Sequence, residues 1–113
     1  MNQIKIIANY FGVSVEDVTG KYRGGITILA REFCYKILKD TTDLSLKAIA
    51  FKLNKTEHAT VISGIDRVNA LIKNEPKIKA HYDEILSRLA NSENYLLKEV
   101  ERLVKFKDLQ NDT

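Results

Sequence analysis

The feature that most limits how this chain can fold is the short joint Leu53-Asn54-Lys55-Thr56. Ahead of it, Ser45 is a good N-cap for a segment carrying Leu46, Ile49, Ala50 and Leu53 on one helical face. Asn54 tolerates the left-handed conformation and ends that helix after barely two turns. Thr56 is then the candidate N-cap of a second helix running to about Lys73. Its buried side reads Val61, Ile65, Val68 and Ile72, flanked by Ile62 and Leu71. Its other side reads Thr60, Ser63, Gly64 and Arg67, a face of short polar side chains with room for another surface to approach. Two helices joined this tightly cannot lie antiparallel, so they cross steeply, which is the helix-turn-helix geometry.

The rest of the chain is also helical in period. A first helix is expected over about Asn2 to Phe11, with Ile4, Ile7, Ala8 and Phe11 on one stripe and Gly12 as a left-handed cap. Ser14 caps a short helix through Asp17 with Val15 and Val18 inward. Gly20-Lys21-Tyr22-Arg23-Gly24-Gly25 is the most loop-like stretch. A long helix follows from about Ile26 to Asp40, its core stripe being Ile26, Leu29, Ala30, Phe33, Ile37 and Leu38, joined by Cys34. Pro76 suits the first turn of another helix, to about Ala90. Ser92 is placed to cap a last one with the stripe Leu96, Leu97, Val100, Leu103 and Val104. The fold class is therefore all-α, with no repeat or linker to divide it. Residues 1–90 form the helix-turn-helix domain, and 91–113 add a C-terminal helix that packs on the domain or makes a homodimer with a second subunit.

Several function classes are disfavoured. A single cysteine, Cys34, leaves no internal disulfide framework and no Cys-rich zinc site, and its apolar surroundings suit a buried small hydrophobe. His58 and His81 are far apart and have no cysteine partners at metal-ligand spacing. There is no phosphate-cradling Gly-rich loop ending in Lys-Ser/Thr, and Gly24-Gly25 is too short to serve as one. The acidic pairs Glu16-Asp17, Asp83-Glu84 and Glu99/Glu101 fall on polar helix faces. The expectation is a protein that is not an enzyme and needs no cofactor or metal. No stretch approaches the ~20 apolar residues that span a bilayer. The Lys5-interrupted start has no cleavage site, so a cytoplasmic protein without membrane contact is expected.

Double-stranded DNA is the partner that several features share. In a helix-turn-helix the first residues of the second helix meet base edges in the major groove, and here these are Thr56, Glu57, His58, Ala59 and Thr60, with Ser63 one turn on. Glu accepts from cytosine N4, and Ala and Thr pack on a thymine methyl. His58 suits a base edge or a phosphate. Taken singly, these residues also fit a plain helix start, with Thr56 capping and Glu57 favouring the helix dipole; their place after a tight joint favours the DNA reading. Lys21 and Arg23 in the Gly-ended loop suit a minor groove or phosphates, and equally a solvated loop. Arg31, Lys47 and Lys55 are candidate phosphate contacts. The net charge of +3 is mild, and all of it falls in residues 1–75, with eleven Lys/Arg against eight Asp/Glu.

Tyr10-Phe11-Gly12-Val13-Ser14-Val15-Glu16-Asp17, Lys21-Tyr22-Arg23, Leu29-Ala30-Arg31-Glu32, Thr42-Asp43-Leu44-Ser45-Leu46-Lys47-Ala48-Ile49 and Glu57-His58-Ala59-Thr60-Val61-Ile62-Ser63-Gly64 occur in that order. Together they resemble the C-terminal DNA-binding domain of the bacterial replication initiator DnaA, over roughly residues 4–89. The resemblance implies an all-helical fold, a helix-turn-helix like that of the Trp repressor, and binding to short boxes in duplex DNA. It assigns Glu57, His58, Ala59 and Thr60 to the major groove, Arg23 to the minor groove, and Arg31 and Lys47 to the vicinity of the backbone. It also implies a stand-alone domain without the initiators' ATPase module, serving replication or its regulation.

The departures from that pattern carry meaning. Asn54-Lys55-Thr56-Glu57 stands where the family has Gly-Gly-Arg-Asp, Ala59 replaces a Thr, and Gly25 replaces a second loop Arg. Each good base contact is worth ~1–3 kcal/mol of discrimination, so these changes imply a different target sequence or weaker specificity. Two other readings are a protein-interaction module that keeps the fold without DNA binding, and a small transcriptional regulator.

Overall fold

A computed structural model describes residues 3–92 of the chain. Five helices are α1 (Gln3–Phe11), α2 (Val15–Thr19), α3 (Gly25–Thr41), α4 (Leu46–Lys52) and α5 (His58–Asn74). Residues 76–92 are the described part of a sixth, α6. Among the described residues there is no strand, and the fold is all-α as its periodicity implies.

α3 is the central rod, against which α1, α2, α4 and α5 all pack. Its Ala30, Phe33, Cys34, Ile37 and Leu38 are fully or almost fully buried, together with Ile7 and Ala8 of α1, Val18 of α2, Ile49 and Leu53 at the joint, and Val61 and Val68 of α5. Ser14 and Ser45 cap α2 and α4, their hydroxyls accepting from the Asp17 and Ala48 amides at 3.0 and 3.1 Å. Ile26, expected in the core stripe of α3, is 50% exposed. The helix starts at Gly25, so Ile26 sits in its first turn beyond the reach of the packed faces.

Two helices end in the same way. After α1, Gly12 has φ +71°, and the Val13 and Gly12 amides donate to the Ala8 and Asn9 carbonyls at 3.0 and 3.1 Å. After α4, Asn54 has φ +57°, and the Lys55 and Asn54 amides donate to the Ala50 and Phe51 carbonyls at 2.8 and 3.0 Å. This pairing of 6→1 and 5→2 bonds around a left-handed residue is the Schellman motif. It satisfies the last carbonyls of α4 within the turn, so the chain leaves the helix without orphaned polar groups.

α5 crosses α3 closely at Gly64. A Cβ there would stand 2.5 Å from the Tyr35 ring and 3.3 Å from Glu32 Cγ. Gly64 is therefore buried, although its spacing places it with the exposed small residues. The crossing is tied by Arg67, whose Nε donates to Glu32 Oε2 at 2.6 Å. α6 joins the core through Ile85 and Leu89, 0% and 8% exposed. Its Tyr82 hydroxyl donates to Asp40, its His81 ring is hydrogen-bonded to the Tyr10 hydroxyl, and the Arg88 guanidinium lies over the Tyr10 ring at 4.7 Å. α6 is still helical at Asn91 and Ser92, where the sequence suggests a break and a new cap. The stripe Leu96 to Val104, with the expected dimer contact, lies outside the described residues.

Candidate nucleic-acid interface

The expected site residues gather around the α4–α5 turn. Thr56, expected to cap the recognition helix, stands one residue too early. Glu57 holds the cap position, in extended backbone and with no side-chain cap hydrogen bond, and the first helical residue is His58. The reason lies in the turn: Asn54 and Lys55 complete the cap of α4, and Thr56 and Glu57 are both needed to bring the chain into α5. Glu57, His58, Ala59, Thr60 and Ser63 are all exposed, while Val61 and Val68 anchor the opposite side in the core.

This exposed edge carries two further side chains that the periodicity did not assign to it. Ile62, expected to flank the buried stripe, is 40% exposed beside Ser63. Phe51 of α4 is 82% exposed, lying off the Leu46-Ile49-Ala50-Leu53 face. The only sequence signal for Phe51 was negative: it falls outside the apolar stripe of its helix. Phe51 shares a shallow hollow with Ser45, Lys47, Lys52, Asn54 and Thr56.

On the other side of the turn, a groove of about 820 Å³ runs between the basic loop, α3 and the start of α5. Lys21, Arg23, Arg31, Lys55, Thr56, Thr60 and Arg67 line it. Asn54, Lys55 and Thr56 border both hollows, so the helix-turn-helix joint is the ridge between them. Of the expected site residues, the structure thus brings Lys21, Arg23, Arg31, Lys55, Thr56 and Thr60 into one groove. It sets Lys47 across the ridge, and Glu57, His58, Ala59 and Ser63 on the adjoining helix start.

Arg31, expected at the phosphate backbone, is 8% exposed. Its Nε donates to the Val18 carbonyl at 2.7 Å, and its Nη2 donates to the Asp17 and Tyr22 carbonyls at 2.9 and 2.7 Å. One guanidinium thereby fastens the end of α2 and the basic loop to α3. Lys55 fastens the same loop to the turn, its ammonium donating to the Gly20 carbonyl at 2.7 Å. These partners are neutral carbonyls, so the cationic charge of the groove is left in place. Among the described residues no carboxylate pairs with Lys21, Arg23, Arg31 or Lys55. Burial, and then the charges of Arg31, Arg23 and Lys21, hold the Lys55 ammonium below the ordinary lysine range.

No cluster of three or more His, Cys, Asp or Glu able to hold a metal occurs among the described residues. No described helix is long and apolar enough to cross a membrane.

A short helix, a Schellman turn and a second helix with an exposed polar start, flanked by unneutralised cations, define a helix-turn-helix of the DNA-binding class. A family model described as the bacterial dnaA protein helix-turn-helix matches residues 2–68, and the chain belongs to that family. The family is a DNA-binding domain and not a catalytic one. Among relatives, the chromosomal replication initiator protein DnaA of Crocosphaera subtropica is 33% identical over 86 residues, covering 76% of this chain and 19% of the relative. The initiator of Neisseria meningitidis is 30% identical over 88 residues, 78% of this chain and 17% of the relative. That of Treponema pallidum is 26% identical over 89 residues, 79% and 19% respectively. The chain spans about a fifth of the length of the relatives it matches.

Proposed function

We propose that this protein binds duplex DNA sequence-specifically in the bacterial cytoplasm, in the service of replication initiation or its control. The observation that carries this is the start of α5. It is exposed from Glu57 to Thr60, leaves a steep turn, and is backed by core residues that fix its angle. Glu57 accepts from a cytosine amine, Ala59 and Thr60 contact thymine methyls, and His58 reads a base edge or holds a phosphate. Ser63, and beside it Ile62, extend the reading edge by one turn. Lys21 and Arg23 meet the adjacent minor groove or its phosphates, and Lys47 meets the backbone beyond the ridge.

The reading edge lacks an arginine and has Ala59 in its centre, so the preferred sequence differs from that of the relatives or is less sharply defined. Selection of bound duplexes from a random pool tests both points. A recovered motif that loses definition in His58→Ala and Thr60→Ala is the expected result. Failure to enrich any duplex at low salt means that the domain serves protein interaction instead.

A further inference from the structure

We propose that Phe51 is a further specificity-determining residue of the DNA interface, its ring packing on the C5 methyl of a thymine at the edge of the major groove. Phe51 is 82% exposed on α4. A single exposed apolar side chain is ordinary on a protein surface; the surroundings set this one apart. It lies in a hollow of about 890 Å³ with Lys47, Ala48, Lys52, Lys55 and Thr56. No carboxylate lines that hollow, and among the described residues none pairs with its three lysines. An apolar ring framed by unneutralised cations suits a polyanion that also presents an apolar group.

The ring is carried on a fixed piece of backbone. The Phe51 carbonyl accepts from the Asn54 amide at 3.0 Å in the cap of α4, so the bonds that shape the joint also hold Phe51. Lys47 and Ala48 stand four and three residues before it, on the same flank of the helix. The short side chain of Ala48 leaves room for a flat surface to reach the ring.

The ligand rests on the DNA-binding reading. In that reading α5 enters the major groove and Lys47 meets the backbone beyond the joint. Thr56 and Lys47 line the same hollow as Phe51. The ring therefore stands between the bases faced by α5 and the strand faced by Lys47. The thymine methyl is the apolar group that the major groove presents, and phenylalanine is one of the side chains that packs on it. An acidic protein segment would match the charge, but a duplex is favoured because the hollow is continuous with the joint: a duplex that covers Thr56 reaches Phe51 as well. The contact adds discrimination to an edge that lacks an arginine.

The tightest duplex recovered from the random pool is remade with each thymine in turn replaced by deoxyuridine, which removes the C5 methyl alone. Affinities are measured for the wild type and Phe51→Ala, with unfolding midpoints alongside. At one thymine, deoxyuridine is expected to lower wild-type affinity about fourfold, the worth of one buried methyl group, and to leave Phe51→Ala affinity unchanged. A merely structural phenylalanine does not couple to a single methyl of the ligand. The midpoint is expected to hold, because the ring is exposed. Selection with Phe51→Ala is expected to return the same motif with that one position relaxed. If every deoxyuridine substitution acts equally on the two proteins, or if Phe51→Ala keeps the wild-type motif unaltered, the inference is overturned and the DNA reading is left intact. A wild type that enriches no duplex overturns both.

Discussion

Arg31 carries out several structural tasks with one side chain. Three carbonyls from α2 and the basic loop converge on it at 2.7–2.9 Å, and no other described side chain replaces those bonds. Lysine keeps the charge but not the planar fork that reaches several acceptors at once. Arg31→Lys is expected to cost about 1–3 kcal/mol in urea unfolding. It is also expected to weaken duplex binding without altering the selected motif, because it frees the loop and leaves α5 in place. A second consequence concerns alkaline pH. Burial pushes the Cys34 thiol up from 9.0 to about 12, and burial pushes the Tyr35 hydroxyl up from 10.0 to about 12. The unfolded chain therefore releases these protons first. Their contribution to stability is whole below pH 9 and is lost as pH climbs towards about 12. Lys55 acts in the opposite sense, its lowered proton affinity making the folded state lose a proton first, but it is half-buried at most and acts more weakly. Urea midpoints at about pH 8 and about pH 10.5 are expected to fall with rising pH, and less so in Cys34→Ala/Tyr35→Phe. An unchanged pH slope in the double variant refutes the assignment.

Among the elements, the turn and the α3–α5 crossing decide where the exposed start of α5 stands. Asn54 at φ +57° occupies a region that costs an ordinary L residue ~1–2 kcal/mol, more for a β-branched one. Asn54→Val is expected to destabilise by at least ~1 kcal/mol, and Asn54→Gly to match or exceed the wild type. Thermal unfolding separates the two. Gly64 presents the contrary case. Alanine gains ~1 kcal/mol of helix propensity over glycine, but its Cβ would meet the Tyr35 ring at 2.5 Å on two packed helices. Overpacking of this kind costs ~1–3 kcal/mol, so Gly64→Ala is expected to be destabilising overall, and to shift α5 enough to weaken duplex binding. A stabilised Gly64→Ala domain means that the crossing is looser than the geometry indicates. The Schellman turn was legible in the sequence because asparagine is one of the few residues that tolerates its conformation. The Gly64 crossing was not, since helical period places Gly64 beside Ser63 and Arg67, and only the position of Tyr35 on another helix shows that it is buried.

Across the whole molecule, the domain does not end where the family match ends. The match stops at residue 68, yet Ile85 of α6 is fully buried and Tyr10, Asp40 and Lys36 all engage α6 side chains. Burial of this kind makes large-to-small changes cost ~2–5 kcal/mol. Ile85→Ala is expected to lose stability in that range by urea unfolding and to leave the recovered DNA motif unchanged, because α6 packs on α1 and α3 away from the turn. An Ile85→Ala variant as stable as the wild type would show that α6 is not part of the core.

The all-α class, the order of α1 to α5, both left-handed caps and the helix-turn-helix were legible from the amino acids alone, because those depend on residue type and spacing within a few residues. The sequence also indicated which residues stand exposed at the start of the second helix, since that start is defined by the joint before it. The packing of the helices was needed to show that Arg31 turns inward to hold the loop, that Gly64 is a contact point, that Ile26, Phe51 and Ile62 are exposed, and that Tyr35 and Lys55 share a groove. Each of these depends on residues from different helices meeting in space. Period within one helix gives its apolar face, but not which neighbour that face meets, nor which charges from distant segments converge beside it.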